Sequence, residues 1–177
     1  MDQFAGDPSE PVQVELVLDR AGDLITVSDH DRADLLPPPQ GGFVMYAGVR
    51  AKNISSCGAQ LRGQLRDAAT LVALSDFDLR SSDFEPEKNS NWWVPTSLAN
   101  FDTVPNIPVC PDNSGGSVLG KEVLLSVRLS DRSLRTATAE KLIVPSCPND
   151  GCRAMCECIC SAGTQPGKCS MVAPCER

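Results

Sequence analysis

The sequence predicts an all-β protein, an antiparallel β-sandwich with a disulfide-rich C-terminal tail, and three observations lead there. Short segments of alternating apolar and polar residues recur between residues 11 and 146, set apart by Gly, Pro, Asn and Asp turn chemistry. Nothing ahead of the tail carries an obvious helical period. Seven of the nine cysteines fall between Cys147 and Cys175.

In chain order, residues 1–10 read as a flexible polar leader and residues 12–18 (Val12-Gln-Val-Glu-Leu-Val-Leu18) as a first strand. The turn at Asp19-Arg-Ala-Gly22-Asp23 sends Leu24-Ile-Thr-Val27 back as a hairpin partner. Residues 28–40 read as a loop, ending in the stiff Pro37-Pro-Pro39. Phe43, Met45, Ala47, Val49 and Ala51 share one face of a long strand. From Cys57 to Asp67 the alternation repeats, with Ala59, Leu61, Gly63 and Leu65 on one face and Gln60, Arg62, Gln64 and Arg66 on the other. A sheet with one wet face is usually antiparallel. Leu71-Val-Ala-Leu74 reads as another strand, Asp76–Asn91 as an acidic loop, and Trp92-Trp93-Val94 as a short strand before a proline-punctuated connection. Residues 121–144 form a closing hairpin, turning at Ser130-Asp-Arg-Ser133. Seven or eight such strands within residues 11–146 suit an immunoglobulin-like sandwich.

The tail, residues 147–177, is too short and too poor in large apolar residues to bury a core, so its order requires covalent or metal crosslinks. Cys156, Cys158 and Cys160 share a side if the piece is extended, whereas Cys152 and Cys156 share a face if it is helical. Zinc thiolate sites pair ligands two to four residues apart, and the Cys-x-Cys-x-Cys run lacks that arrangement and a neighbouring histidine. Disulfides are therefore expected among Cys57, Cys110, Cys147, Cys152, Cys156, Cys158, Cys160, Cys169 and Cys175, with an odd one left over. Cys57 and Cys110 are candidates for a bridge across the sandwich, the alternative being that one of them ties down the tail. A metal site on Cys152, Cys156, Cys158 and Cys160 is the competing chemistry.

The string Val127-Arg-Leu-Ser-Asp131-Arg-Ser-Leu-Arg-Thr136-Ala-Thr138, running on to Leu-Ile-Val-Pro, resembles the closing hairpin of bacterial immunoglobulin-like domains of the polycystic-kidney-disease type. More broadly, a polar leader, a sandwich, Pro-Val-Cys110-Pro and a cysteine-rich tail resemble uncharacterised predicted lipoproteins of bacterial envelopes. The resemblance implies a cell-surface fold and carries no active site.

Disulfides place the chain in an oxidising compartment, secreted or in the cell envelope. An export signal is then expected upstream, with Met1 an added start and a lipid anchor on a removed segment as one option. The net charge of −7 argues against binding nucleic acid, which needs clustered Lys and Arg. No apolar run reaches the length of a transmembrane helix. The sole histidine, His30, stands between Asp29 and Asp31 with no hydrolase motif around it, so a solvated loop residue and a non-enzyme are expected. Asp29/Asp31/Asp34 and Asp76/Asp78/Asp83 offer oxygens for calcium without matching a calcium loop, and read as solvated carboxylates. No cofactor is implied. Trp92 and Trp93 point to opposite faces of an extended segment, one for the core and one available as a platform for a protein or surface glycan partner. The chain thus reads as a non-catalytic binding or structural module, with homo-oligomerisation through the odd cysteine or the hairpin edge as a further option.

Overall fold

A computed structural model describes residues 4–20, 23–38, 41–96, 103–110, 117–161, 169 and 175. In chain order the strands are β1 (Phe4–Ala5), β2 (Gln13–Arg20), β3 (Asp23–Thr26), β4 (Asp31–Asp34), β5 (Phe43–Lys52), β6 (Ile54–Ser55), β7 (Ala59–Asp67), β8 (Asp78–Ser82), β9 (Phe84–Pro86), β10 (Trp93–Pro95), β11 (Asn106–Cys110), β12 (Val123–Ser130) and β13 (Thr136–Ser146). A single helix among the described residues, α1 (Arg153–Cys160), follows. One sheet runs β3-β2-β5-β10-β9 with β11 also paired to β5; the other runs β4-β13-β12-β7-β8. The small β1-β6 pair stands beside them.

This is an immunoglobulin-type strand order. β2, β5 and β11 take the A, B and E places, and β7, β12 and β13 take C, F and G. The edge strand β4 runs parallel to β13, Ile143 opposite Asp31, and every other pairing is antiparallel. Alternation decides which face meets the other sheet. Leu16 and Leu18 lie opposite Val49 and Ala47, Ile107 lies opposite Met45, and all are buried. Across the interface, Leu61, Leu65, Leu125, Leu129 and Ile143 are almost fully buried, each worth about 1.5–3 kcal/mol of transfer free energy. Gly63 lets the sheets approach: a Cβ there would stand 2.7 Å from Pro105 Cβ and 2.8 Å from Ile107 Cδ1.

Several segments differ from the sequence reading. Residues 4–10, expected to be a flexible leader, are docked. Phe4 pairs with Ser55, Ala5 is fully buried, and the Asp7 amide donates to Asn53 Oδ1 (3.0 Å). The loop at 28–40 contains β4, and the acidic loop at 76–91 contains β8 and β9. Leu71–Leu74 is not a strand: Leu71 takes a left-handed φ of 60°, and only a bridge between Ala73 and Arg66 remains. The closing hairpin is as expected, although Leu134, with φ 61° and 83% exposed, fills the left-handed turn position that favours glycine.

Asp131 fastens that turn to the docked N-terminal segment. Its buried carboxylate accepts from Arg135 Nη2 (2.8 Å), the Arg135 amide (3.0 Å) and the Ser55 amide (3.3 Å). Arg135 in turn donates to the Pro8 carbonyl and lies over the Phe4 ring. Burial pushes the Asp131 carboxyl up, and the hydrogen bonds from Arg135 and Ser55 outweigh it, holding the group below its ordinary value of 3.8.

Two predictions follow from these contacts. Gly63→Ala should lower unfolding stability by about 1–3 kcal/mol through overpacking, measured by urea denaturation. Asp131→Asn should cost about 2–3 kcal/mol above roughly pH 4, where the wild-type carboxyl is ionised in both states. The difference should shrink as pH falls through the depressed folded-state pKa, and equal losses at pH 7 and pH 2 would refute this role.

Candidate functional site

The tail folds as a crosslinked cap. At eight residues α1 is shorter than an isolated helix stable in water, and no side chain caps its N-terminus. Cysteines hold it. Cys156 and Cys160, one turn apart, both face inward and are buried, bonded to Cys147 just after β13 and to Cys110 at the end of β11. Cys158 bonds Cys169, and Cys152 at the helix N-cap bonds Cys175. The cap is therefore bolted to both sheets. Cys57 is the cysteine left over, exposed in the turn between β6 and β7. A Cys57–Cys110 bridge is overturned, because Cys110 reaches the tail instead.

The competing metal set on Cys152, Cys156, Cys158 and Cys160 is not assembled as a group. Helical geometry turns Cys158 away from Cys156 and Cys160, and Cys152 and Cys158 bond separate partners. The sulfurs brought together are those of Cys147, Cys156 and Cys160, within 4.8 Å of one another. Beside the cap, a cavity of about 430 Å³ is lined by Arg32, Leu119, Pro145, Cys147, Arg153 and Glu157.

The carboxylate groups are dispersed into structural work. The Leu142 amide donates to Asp29 (3.0 Å) and holds its carboxyl below the ordinary value, helped by Lys141. Asp31 accepts from the Ser28 amide, Asp34 from Ser146 Oγ and Asp83 from the Gly58 amide. Asp78 binds Arg80 (2.6 Å) and accepts from the Asn106 amide, tying β8 to β11. His30 sits at a left-handed φ of 69° beside Glu122, and both side chains are exposed. Compared with known proteins, the chain matches no family model, no curated protein and no solved structure. Site chemistry therefore rests on the geometry alone.

The tryptophans separate. Trp93 in β10 lies opposite Ala51 and packs against the core. Trp92 is partly buried, with Lys52 Nζ 4.2 Å and Arg50 Cζ 4.9 Å from its ring centroid. Arg50 also pairs with Glu15 and Glu87. The ring is thus engaged by the protein's own cations, and its value as a sugar platform is reduced.

Sequence reasoning identified a wet face on β7 and missed what register adds to it. Arg62 on β7 lies directly opposite Arg128 on β12, and Gln64 lies opposite Ser126. Arg66 is two positions beyond Gln64 and accepts no help from an acid: among the described residues none of Arg62, Arg66 and Arg128 pairs with a carboxylate. By contrast Arg50 holds two, and Arg80, Arg135 and Arg153 each hold one. The arginines rim a shallow polar depression of about 290 Å³ with Gln64, Ser126 and Glu140. Arg62 is propped by Phe77, its Cζ 3.8 Å from the ring centroid. No alternation rule reveals an opposed arginine pair; strand register is needed.

The cap's contribution is measurable. Replacing Cys110 and Cys160 together with Ser opens a crosslink spanning 50 residues. It should cost about 4 kcal/mol in guanidinium denaturation on the chain-entropy model.

Proposed function

We propose that the chain is an exported, non-catalytic binding or structural module of the cell envelope or extracellular space, displaying surfaces on a disulfide-stabilised sandwich. The observation that carries this reading is the cap: four disulfides hold α1, two of them anchoring it to β11 and to the residue after β13. Such crosslinks persist in oxidising compartments and are rare in reducing ones. Among the described residues no helix is long and apolar enough to cross a membrane. Kinship with polycystic-kidney-disease-type domains and attachment through a lipid on an upstream segment belong to the same proposal. A protein partner fits better than a glycan, since the Trp92 ring is engaged from within.

A second reading has one observation in its favour. With the crosslinks reduced, Cys147, Cys156 and Cys160 would present three sulfurs close enough to share a soft metal ion.

Intact mass of the non-reduced protein from an oxidising host, before and after alkylation, separates the two. The export reading expects two hydrogens lost for each of the four disulfides, one alkylated thiol at Cys57, and no metal. Mostly alkylatable cysteines with stoichiometric zinc would replace it with the metal reading.

A further inference from the structure

We infer that the outer face of β7, β12 and β13 is a docking surface for an acidic, partly apolar segment of a partner protein, with Arg62 and Arg128 as its anchors. The surface deepens the binding-module reading and stands on it.

Charge comes first. The chain carries a net charge of −7, and surface arginines elsewhere, such as Arg50, Arg80 and Arg153, are matched by acids. Here Arg62 and Arg128 are register partners on the outer face of adjacent strands, a like-charge pairing that is unfavourable. A third, on Arg66, extends the positive strip along β7, its Nε donating to Gln64 Oε1. Glu140 on β13 is the one acid in the depression, and it forms no ion pair with any of the three among the described residues. A carboxylate entering between Arg62 and Arg128 would relieve the repulsion and accept forked hydrogen bonds from planar donors suited to it.

The surroundings select a protein segment over a polysaccharide. Phe77 and Leu79 are each 50% exposed, and Leu71 and Val72 are 56% and 63% exposed. Leu79 is the register partner of Arg62 on β8. Of the five exposed large apolar side chains among the described residues, three lie in the segment between β7 and β8 and a fourth, Leu79, in β8 itself. Phe77 already has one face covered by Arg62, so at most its other face is open to a sugar. Arginine and aromatic side chains beside apolar contacts are the composition of protein hot spots. The strands beneath are long and fully paired, β7 to β12 from Asp67 to Gln60, so the anchors sit on a rigid support.

The test is selection of a phage-displayed random 12-residue peptide library on the oxidised full chain. Binding of the selected peptides is then compared for wild type, Arg62→Gln, Arg128→Gln and the double variant. Enriched sequences should combine Asp or Glu with apolar residues, lose about tenfold in affinity with each substitution and weaken as salt rises. A soluble uronate oligomer should compete poorly. Arg128→Gln should unfold at a temperature equal to or above wild type, since it removes a like-charge neighbour, whereas Arg62→Gln also gives up its contact with Phe77 and should unfold slightly lower; both stay folded at the assay temperature, so lost binding cannot be ascribed to misfolding. Binders that are not acidic, or that ignore both arginines, would remove this face while leaving the chain a binding module. Equal binding of the uronate would reassign the occupant to a glycan. A selection that returns no binder would overturn the surface and the binding reading together.

Discussion

Two disulfides, Cys110–Cys160 and Cys147–Cys156, join one short helix to the strand ends of both sheets. β11 belongs to the sheet built on β5, and Cys147 continues β13 of the other, so α1 acts as a brace across the end of the sandwich. The helix has little of its own to sustain it. Its i,i+4 pair of Arg153 and Glu157 is exposed on the outer side, and such pairs contribute only a few tenths of a kcal/mol. Met155 and Ile159 are only partly buried. What orders it is the pair Cys156 and Cys160, which at helical spacing presents two sulfurs to the same side and lets each reach a different sheet. An immunoglobulin sandwich usually bridges its sheets through its middle, from B to F. This chain places the covalent link at one end, and the middle is left to Leu61, Leu125, Met45 and Ile107.

How much of this was legible depends on whether a segment announces itself by burial. β5, β7, β12 and β13 could be read directly, because one side of each must be apolar to meet the other sheet. β4, β8 and β9 could not, since they lie at or near sheet edges and carry Asp31, Arg32, Asp78, Arg80 and Glu85. Charge on an edge strand is ordinary, yet in sequence it looks like a loop. β11 was hidden by Pro108, which the ladder accommodates where the register shifts between Pro108 and Cys110. In the other direction, Leu71–Leu74 looked like a strand on propensity alone, and the Asp67 carboxylate instead folds the chain into a turn by accepting from the amides of Ala69 and Thr70.

The candidate site was half visible for a related reason. Alternation put Arg62 and Arg66 on a solvated face, but their meaning depends on which residues stand opposite, and that is fixed only by the register of β12 on β7. A slip of one residue would turn Arg128 into the core and Leu129 out to water, so burial of Val127 and Leu129 enforces the juxtaposition of Arg128 and Arg62. The same core packing that stabilises the sheet thus compels two like charges to meet at its surface. Cysteine spacing was ambiguous in a parallel way: Cys156-Glu-Cys158-Ile-Cys160 satisfies a period of two and also places its ends one helical turn apart.

Brace and arginine face lie at opposite ends of β13, and that separation orders cause and effect between them. Arg128 is the register partner of Thr138, whereas the brace attaches at Cys147, nine residues further on and roughly 30 Å away at the rise of an extended strand. No charge on the cap can act on the face directly over that distance in physiological salt, where screening sets in within about 8 Å. The sandwich core lies between them, and its packing connects them only through stability. Opening Cys110–Cys160 must therefore leave the affinity of the arginine face unchanged in molecules that remain folded, while shrinking the fraction that is folded. A ligand at Arg62 and Arg128 must in turn raise the unfolding temperature of the reduced and the oxidised chain alike, because it binds the folded state in both.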